Sequence, residues 1–359
     1  MIKNIDYSNL NFDLFETTYK KILKKPNKDI LLILFELKEF ENKNKGKDFE
    51  SLIIKFIHHK DKEIRLFTTK YIEKSTDLAV LRIIKKIIEE EKEKIIRYEA
   101  IRILGNWISS YSYKNNKKYE IEKLLNFGLS YISQTSDKED KNNMLKSLSY
   151  IDSEKIEKII IDKYNSNDEA DKLCSIISMG NNGKNKWISL IEELLEHDNY
   201  QIRSSSCISL GLIGDEEHLD QIKELLDDEE LDTQKAAVLG ISKIGGNYAK
   251  EVLEKLKFST EPEIQELSEK MILELKQEEE LDSTDVPEEK LEDTLNKEKD
   301  DSQNSEFDEY DAGKIEGWGT LNTDGTSFIA PDAIDTDIDD PIKSLSDYEK
   351  PIEQPDIDD

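Results

Sequence analysis

Residues able to do chemistry are few in this chain and scattered. The 359 residues include four histidines, His58, His59, His197 and His218, and two cysteines, Cys174 and Cys207. A zinc or iron centre needs such ligands at short fixed spacings, as in His-Glu-x-x-His or paired cysteines, and neither spacing occurs. Nucleophile elbow, phosphate-binding glycine loop and dinucleotide fingerprint are all missing from the sequence. Asp335-Thr336-Asp337-Ile338-Asp339-Asp340 imitates the start of a calcium loop, but lacks the sixth-position glycine and twelfth-position glutamate of an EF-hand. The sequence thus names no catalytic residue, no metal ligand and no cofactor, and the expectation is a protein that is not an enzyme.

The elements around these residues follow a fixed period. Leu148, Met179, Leu210, Ile241 and Ile272 stand 31 residues apart, as do Ile160, Ile191, Ile222 and Leu253. Gly183, Gly214 and Gly245 keep the same register, and Ser175, Ser206, Ala237 and Ser268 form a column of small residues. Cys207 falls in a column with Leu145, Ile176 and Val238, where a small buried hydrophobe is expected. Columns that keep one register mean stacked two-helix units, an α-solenoid. First helices are expected at 48–58, 77–91, 118–133, 153–165, 185–197, 216–227 and 247–258. Second helices follow at 61–74, 92–108, 138–150, 168–180, 199–213, 230–244 and 261–276, with a further pair broken at Pro26-Asn27 within 13–43. Asp61, Asp198 and Glu261 open second helices as N-caps, and glycines close several in a left-handed conformation. From Leu104 to Leu148 the step is 44, so an insertion of 13 is expected as a loop at 111–116.

Several second helices carry Ile-Arg, then small and apolar residues, then Leu-Gly. Ile202-Arg203 through Leu210-Gly211 is the clearest copy, Ile96-Arg97 through Leu104-Gly105 is another, and Ile64-Arg65 starts a third. Over 48–276 the chain resembles the HEAT repeat family, in particular the HEAT-like repeats of phycobilisome lyases. The resemblance implies an all-α, right-handed solenoid of about seven to eight helix pairs whose second helices line a concave face. Gln234 and Gln265 replace the arginine in the last two units. Arg65, Arg97, Lys172 and Arg203 recur at equivalent places, either as a structural ladder with helix-start acids or as a basic stripe for acidic peptides or phosphates. On the concave side of the N-terminal half, Lys70, Tyr98, Arg102, Asn142 and Lys146 are the candidate contacts for a partner. A solvated face is the plainer account of the same residues. Trp107 and Trp187 are expected in the core.

Charge divides the chain. Residues 277–359 hold 29 acids against 6 lysines, 131–276 hold 31 acids against 18 basic residues, and 1–130 hold 20 acids against 27. Such a net charge of −29 repels nucleic acid overall and leaves only the N-terminal half for a polyanion. The domain expectation is a solenoid over 1–276 and an acidic tail over 277–359, too poor in apolar residues to offset its ordering entropy and so disordered when free. Within it, 317–329 is an apolar and glycine island containing Trp318 and Phe328, a candidate short binding motif.

Without a disulfide framework, a signal peptide or an apolar run longer than Ile30–Phe35, the sequence reads as cytoplasmic. The expected function is a protein–protein interaction scaffold or adaptor, using the concave surface and the tail motif to hold protein partners. Alternatives are a nucleic-acid-associated protein autoinhibited by its tail, and a lyase-type or chaperone-like accessory protein.

Overall fold

The computed structural model describes residues 10, 12–44, 46, 48–75, 78–112 and 117–283; the tail motif with Trp318 and Phe328 lies outside them. It divides into two units, one ending at Gly183 and one beginning at Lys184. Among the described residues there are sixteen α-helices and no strand. The first unit holds five pairs: α1 (Phe12–Ile22) with α2 (Asn27–Lys43), α3 (Glu50–Ile53) with α4 (Lys62–Tyr71), α5 (Leu78–Glu90) with α6 (Lys94–Tyr111), α7 (Lys118–Gln134) with α8 (Lys138–Leu148), and α9 (Glu154–Tyr164) with α10 (Glu169–Asn182). The second holds three: α11 (Ile188–Glu192) with α12 (Tyr200–Ile213), α13 (Leu219–Glu224) with α14 (Leu231–Ile244), and α15 (Gly246–Leu256) with α16 (Pro262–Ser283). Second helices form a row in each unit, α2 to α4 to α6 to α8 to α10 in one and α12 to α14 to α16 in the other.

The register explains the core. Leu148, Met179, Leu210 and Ile241 are fully buried, as are Ile160, Ile191, Ile222 and Leu253, and Ser175, Ser206, Ala237 and Ser268. A single pair leaves one apolar stripe uncovered, and the neighbouring pair covers it. Trp107 and Trp187 are core residues, and both cysteine thiols are buried and free. Burial pushes both thiols above their ordinary range.

Small residues set how closely second helices approach. A Cβ added at Gly211 would lie 2.5 Å from the Cα and carbonyl oxygen of Gly240, so α12 and α14 meet backbone to backbone. Only glycine fits there. Gly183 closes α10 at φ +69° as expected, but Gly214 sits at φ −79°. Glycine is needed at 214 for another reason: a Cβ there would lie 2.7 Å from the Leu210 carbonyl oxygen.

Three sequence expectations are corrected. The cap of α12 is Asn199, whose side chain accepts from the Gln201 N–H at 2.8 Å, and not Asp198. Tyr111 is the last residue of α6 rather than the start of a loop. Part of the insertion lengthens helices: α6 has 18 residues and α7 has 17, against 14 in α12 and 11 in α9. Residues 113–116 lie outside the described residues. The last helix also runs past 276, to Ser283.

Candidate protein-interaction surface

Each second helix from α4 onward is entered through one recurring turn. Two residues before the N-cap, a side chain accepts the backbone N–H of the N-cap residue. His59 accepts from Asp61, Glu91 from Glu93, Thr135 from Asp137, and Ser166 from Asp168. In the second unit His197 accepts from Asn199, Asp228 from Glu230, and Ser259 from Glu261. The seven distances lie between 2.9 and 3.2 Å. The N-cap N–H would otherwise be an orphan at each turn. Sequence reasoning missed this motif because five residue types serve at one register position. The signal was there: every occupant can accept a hydrogen bond.

Four residues beyond the N-cap stands the ladder position. Arg203 Nη1 donates to the carbonyls of His197 and Asp198 at 2.9 and 3.0 Å, and its Nε and Nη2 fork onto Asp228 at 2.8 Å each. Arg65 repeats the geometry: Nη1 reaches the carbonyls of His59 and Lys60, and the fork lands on Glu91 at 2.7 and 3.0 Å. Arg97 holds the carbonyls of Glu91 and Lys92, but the next turn offers Thr135 in place of an acid, and its fork goes to Asp140 at 3.1 and 3.5 Å. Tyr131 donates to the same Asp140 at 2.8 Å. Gln234 keeps one part of the clamp, its Nε2 donating to the Asp228 carbonyl at 2.7 Å. Burial works to raise the Glu91 and Asp228 carboxyls, yet the arginine forks and backbone N–H groups hold both below the usual carboxylate range.

The solvent-facing stripe of the second helices carries the remaining candidates. Arg102 is held by two carboxylates, Glu73 at 2.6 and 2.7 Å and Glu99 at 2.7 and 3.2 Å, with Asn106 also on Glu73. Tyr98 and Asn142 occupy the same register position on α6 and α8. The Asn142 Oδ1 is buried and has no hydrogen-bond partner among the described residues, although Asn142 Nδ2 donates to the Ala170 carbonyl at 3.4 Å; the Tyr98 hydroxyl is buried against the Glu139 carboxylate. Burial, with the nearby Glu139, Asp137 and Asp140, pushes the Tyr98 hydroxyl up. Lys70 and Lys146 are half-buried on α4 and α8, with no acid paired to either among the described residues. The structure therefore separates the candidates. Arg65, Arg97 and Arg203 are tied to helix starts and Arg102 to two glutamates. Lys70 and Lys146 keep charges to offer, while Tyr98 and Asn142 turn their polar atoms inward.

Three of the four histidines, His59, His197 and His218, bond within turns. His218 bonds Asp215 at 2.8 Å in a capping box before α13. Among the described residues no cluster of three or more His, Cys, Asp or Glu could hold a metal ion, and no helix is long and apolar enough to cross a membrane.

The repeat signature and the ladder agree with one comparison with known families, which covers 188–269. Residues 188–269 match the family model of HEAT repeats. No curated protein matches the chain. Among solved structures, the complex of CpcE and CpcF of phycocyanin lyase from Nostoc sp. PCC7120 is similar at 15% identity and a TM-score of 0.46, over 64% of this chain and 89% of that one. A designed armadillo repeat protein is similar at 19% identity and a TM-score of 0.30, over 54% of this chain and 99% of its own. Human deoxyhypusine hydroxylase is similar at 12% identity and a TM-score of 0.32, over 73% of this chain and 97% of its own.

Proposed function

We propose that the protein is a non-enzymatic interaction scaffold or adaptor that holds a protein partner on the face of its second helices. One observation carries this reading. On α4 and α8 the face keeps two cations, Lys70 and Lys146, with no acid paired to either among the described residues. Two such ammonium groups suit a polypeptide segment with acidic side chains. A nucleic-acid backbone is the poorer fit, because Arg65, Arg97 and Arg102 already donate to carboxylates of the protein itself.

The test is capture from the source cells with the full chain and with the full chain carrying Lys70→Glu and Lys146→Glu. Proteins identified by mass spectrometry with the unaltered chain should be lost with the variant, at an unchanged melting temperature. Equal recovery by both chains would refute the reading. Nucleic acid in place of protein, seen as a raised 260/280 nm ratio, would replace it with the nucleic-acid alternative.

A further inference from the structure

Positive charge gathers where the first two helix pairs turn. Residues 20–28 hold five lysines and no acid, and residues 55–62 hold three lysines, two histidines and one acid, Asp61. The first segment leads from α1 into α2, the second from α3 into α4, and the structure sets them side by side. Asn27 Nδ2 donates to Asp61 Oδ2 at 2.7 Å, the Tyr19 ring stands edge-on to Phe56, and Glu16 bridges Lys20 at 3.2 Å and Lys55 at 3.0 Å. Asp61 is already engaged, because its other oxygen accepts the Glu63 and Ile64 N–H groups as the cap of α4. Lys21, Lys24, Lys25, Lys60 and Lys62 have no acid paired to them among the described residues, and all but Lys25 are exposed.

Helix chemistry accounts for only part of this charge. Lysines in the last turn of α1 suit its dipole, but Lys60 and Lys62 flank the start of α4, where the dipole favours acids. At the same first position of α6 and α8, Lys94 and Lys138 are held by the N-cap acid of the next repeat, Asp137 at 2.7 Å and Asp168 at 2.5 Å. Lys62 makes no such bridge among the described residues. Leu23 stands among the lysines with 43% of its surface exposed, while Ile22 beside it is fully buried. Neither segment contains an arginine, whose planar fork is the usual choice for nucleic acid. Compact ammonium groups around an open leucine suit the surface of an anionic bilayer, where charge and a small apolar contact act together.

We propose that the turns at 20–28 and 55–62 form a docking surface for an anionic lipid bilayer, with Lys21, Lys24, Lys25, Lys60 and Lys62 over acidic headgroups and Leu23 at the acyl boundary. The net charge of −29 does not forbid this contact, because physiological salt screens charges beyond about 8 Å and the local excess of lysine decides it. The surface does not depend on the partner face at Lys70 and Lys146. A scaffold with both would hold its partner at a membrane.

Co-sedimentation of the full chain with vesicles tests the docking. Vesicles with phosphatidylserine as about a third of the lipid should bind at least about tenfold more tightly than pure phosphatidylcholine vesicles, and raising salt from about 0.1 to about 0.5 M should release the chain. Each lysine near an anionic surface adds roughly fivefold to binding, so the full chain carrying Lys24→Glu, Lys60→Glu and Lys62→Glu should bind about a hundredfold more weakly. These three positions are exposed, and the melting temperature should stay in place. Equal binding to the two kinds of vesicle, or equal binding by variant and unaltered chain, overturns the proposal.

Leu23→Ala separates a bilayer from other polyanions, because it leaves every charge in place. It should weaken vesicle binding by about fivefold. Vesicle binding unchanged by Leu23→Ala overturns the bilayer in favour of a plain polyanion such as nucleic acid. The full chain carrying Lys70→Glu and Lys146→Glu should bind vesicles as the unaltered chain does, and loss of binding there would move the lipid to the second-helix face and overturn the proposal. Partner capture through Lys70 and Lys146 is read without vesicles, so the two readings fall separately.

Discussion

Asp228 receives both arms of the Arg203 guanidinium at 2.8 Å and, on the same Oδ1, the Glu230 N–H at 2.9 Å. One carboxylate thus ties α12 to the turn that starts α14. Glu91 joins α4 to α6 in the same way through Arg65 and the Glu93 N–H. Stacking is then specified by polar geometry as well as by leucine burial.

Removing one partner of this pair should cost more than its net worth. The side chains of Arg203 and Asp228 are 10% and 7% exposed, so Arg203→Ala leaves a nearly buried carboxylate without its counter-charge. The expected loss is about 3 kcal/mol in urea unfolding. Adding Asp228→Asn to that variant should recover part of the loss, and failure to recover any would show that the charge is not what matters.

The ladder can be extended by one rung. Gln234 occupies the arginine position, and the next turn offers Ser259 where Glu91 and Asp228 stand in other repeats. Gln234→Arg with Ser259→Asp should rebuild the clamp between α14 and α16. A double-mutant cycle should show a favourable coupling of about 1 kcal/mol, which zero coupling would rule out.

Gly211→Ala tests the close approach. Its new Cβ would fall 2.5 Å from Gly240 backbone atoms, which cannot move aside as a flexible side chain can. A loss of about 2 kcal/mol is expected. Gly183→Ala meets no neighbour within 4 Å and is limited by its φ of +69°, so it should cost less, about 1 kcal/mol.

Acid should unravel the stack at its polar joints. Burial opposes ionisation of Glu91, Asp171 and Asp228, but their cationic partners hold all three carboxyls below the ordinary range. A carboxyl depressed in the folded state contributes stability that is present above its unfolded pKa, about 4, and lost as pH falls through the folded value. Urea midpoints should therefore hold from pH 7 to 5 and fall steeply below pH 4. In Asp228→Asn the slope below pH 4 should be shallower.

The solenoid was legible because burial repeats. A 31-residue column of leucine and isoleucine survives any change of surface chemistry, and Leu148, Met179, Leu210 and Ile241 are all in the core. The joints were less legible. Arg97 could not be assigned to Asp140 from its sequence step, because the insertion and Thr135 redirect its fork. The N-cap turns were hidden by changing residue types, His59 and Ser259 doing one job. Lys146 and Arg102 stand at one register position, yet only contacts in space separate the cation without an acid from the one that two glutamates hold.

Cross-linking of the captured complex, read by mass spectrometry, tests the central claim most directly. The account predicts partner cross-links concentrated on the second helices α4, α6 and α8, around Lys70 and Lys146. Cross-links concentrated instead on the first helices α5, α7 and α9 would contradict it.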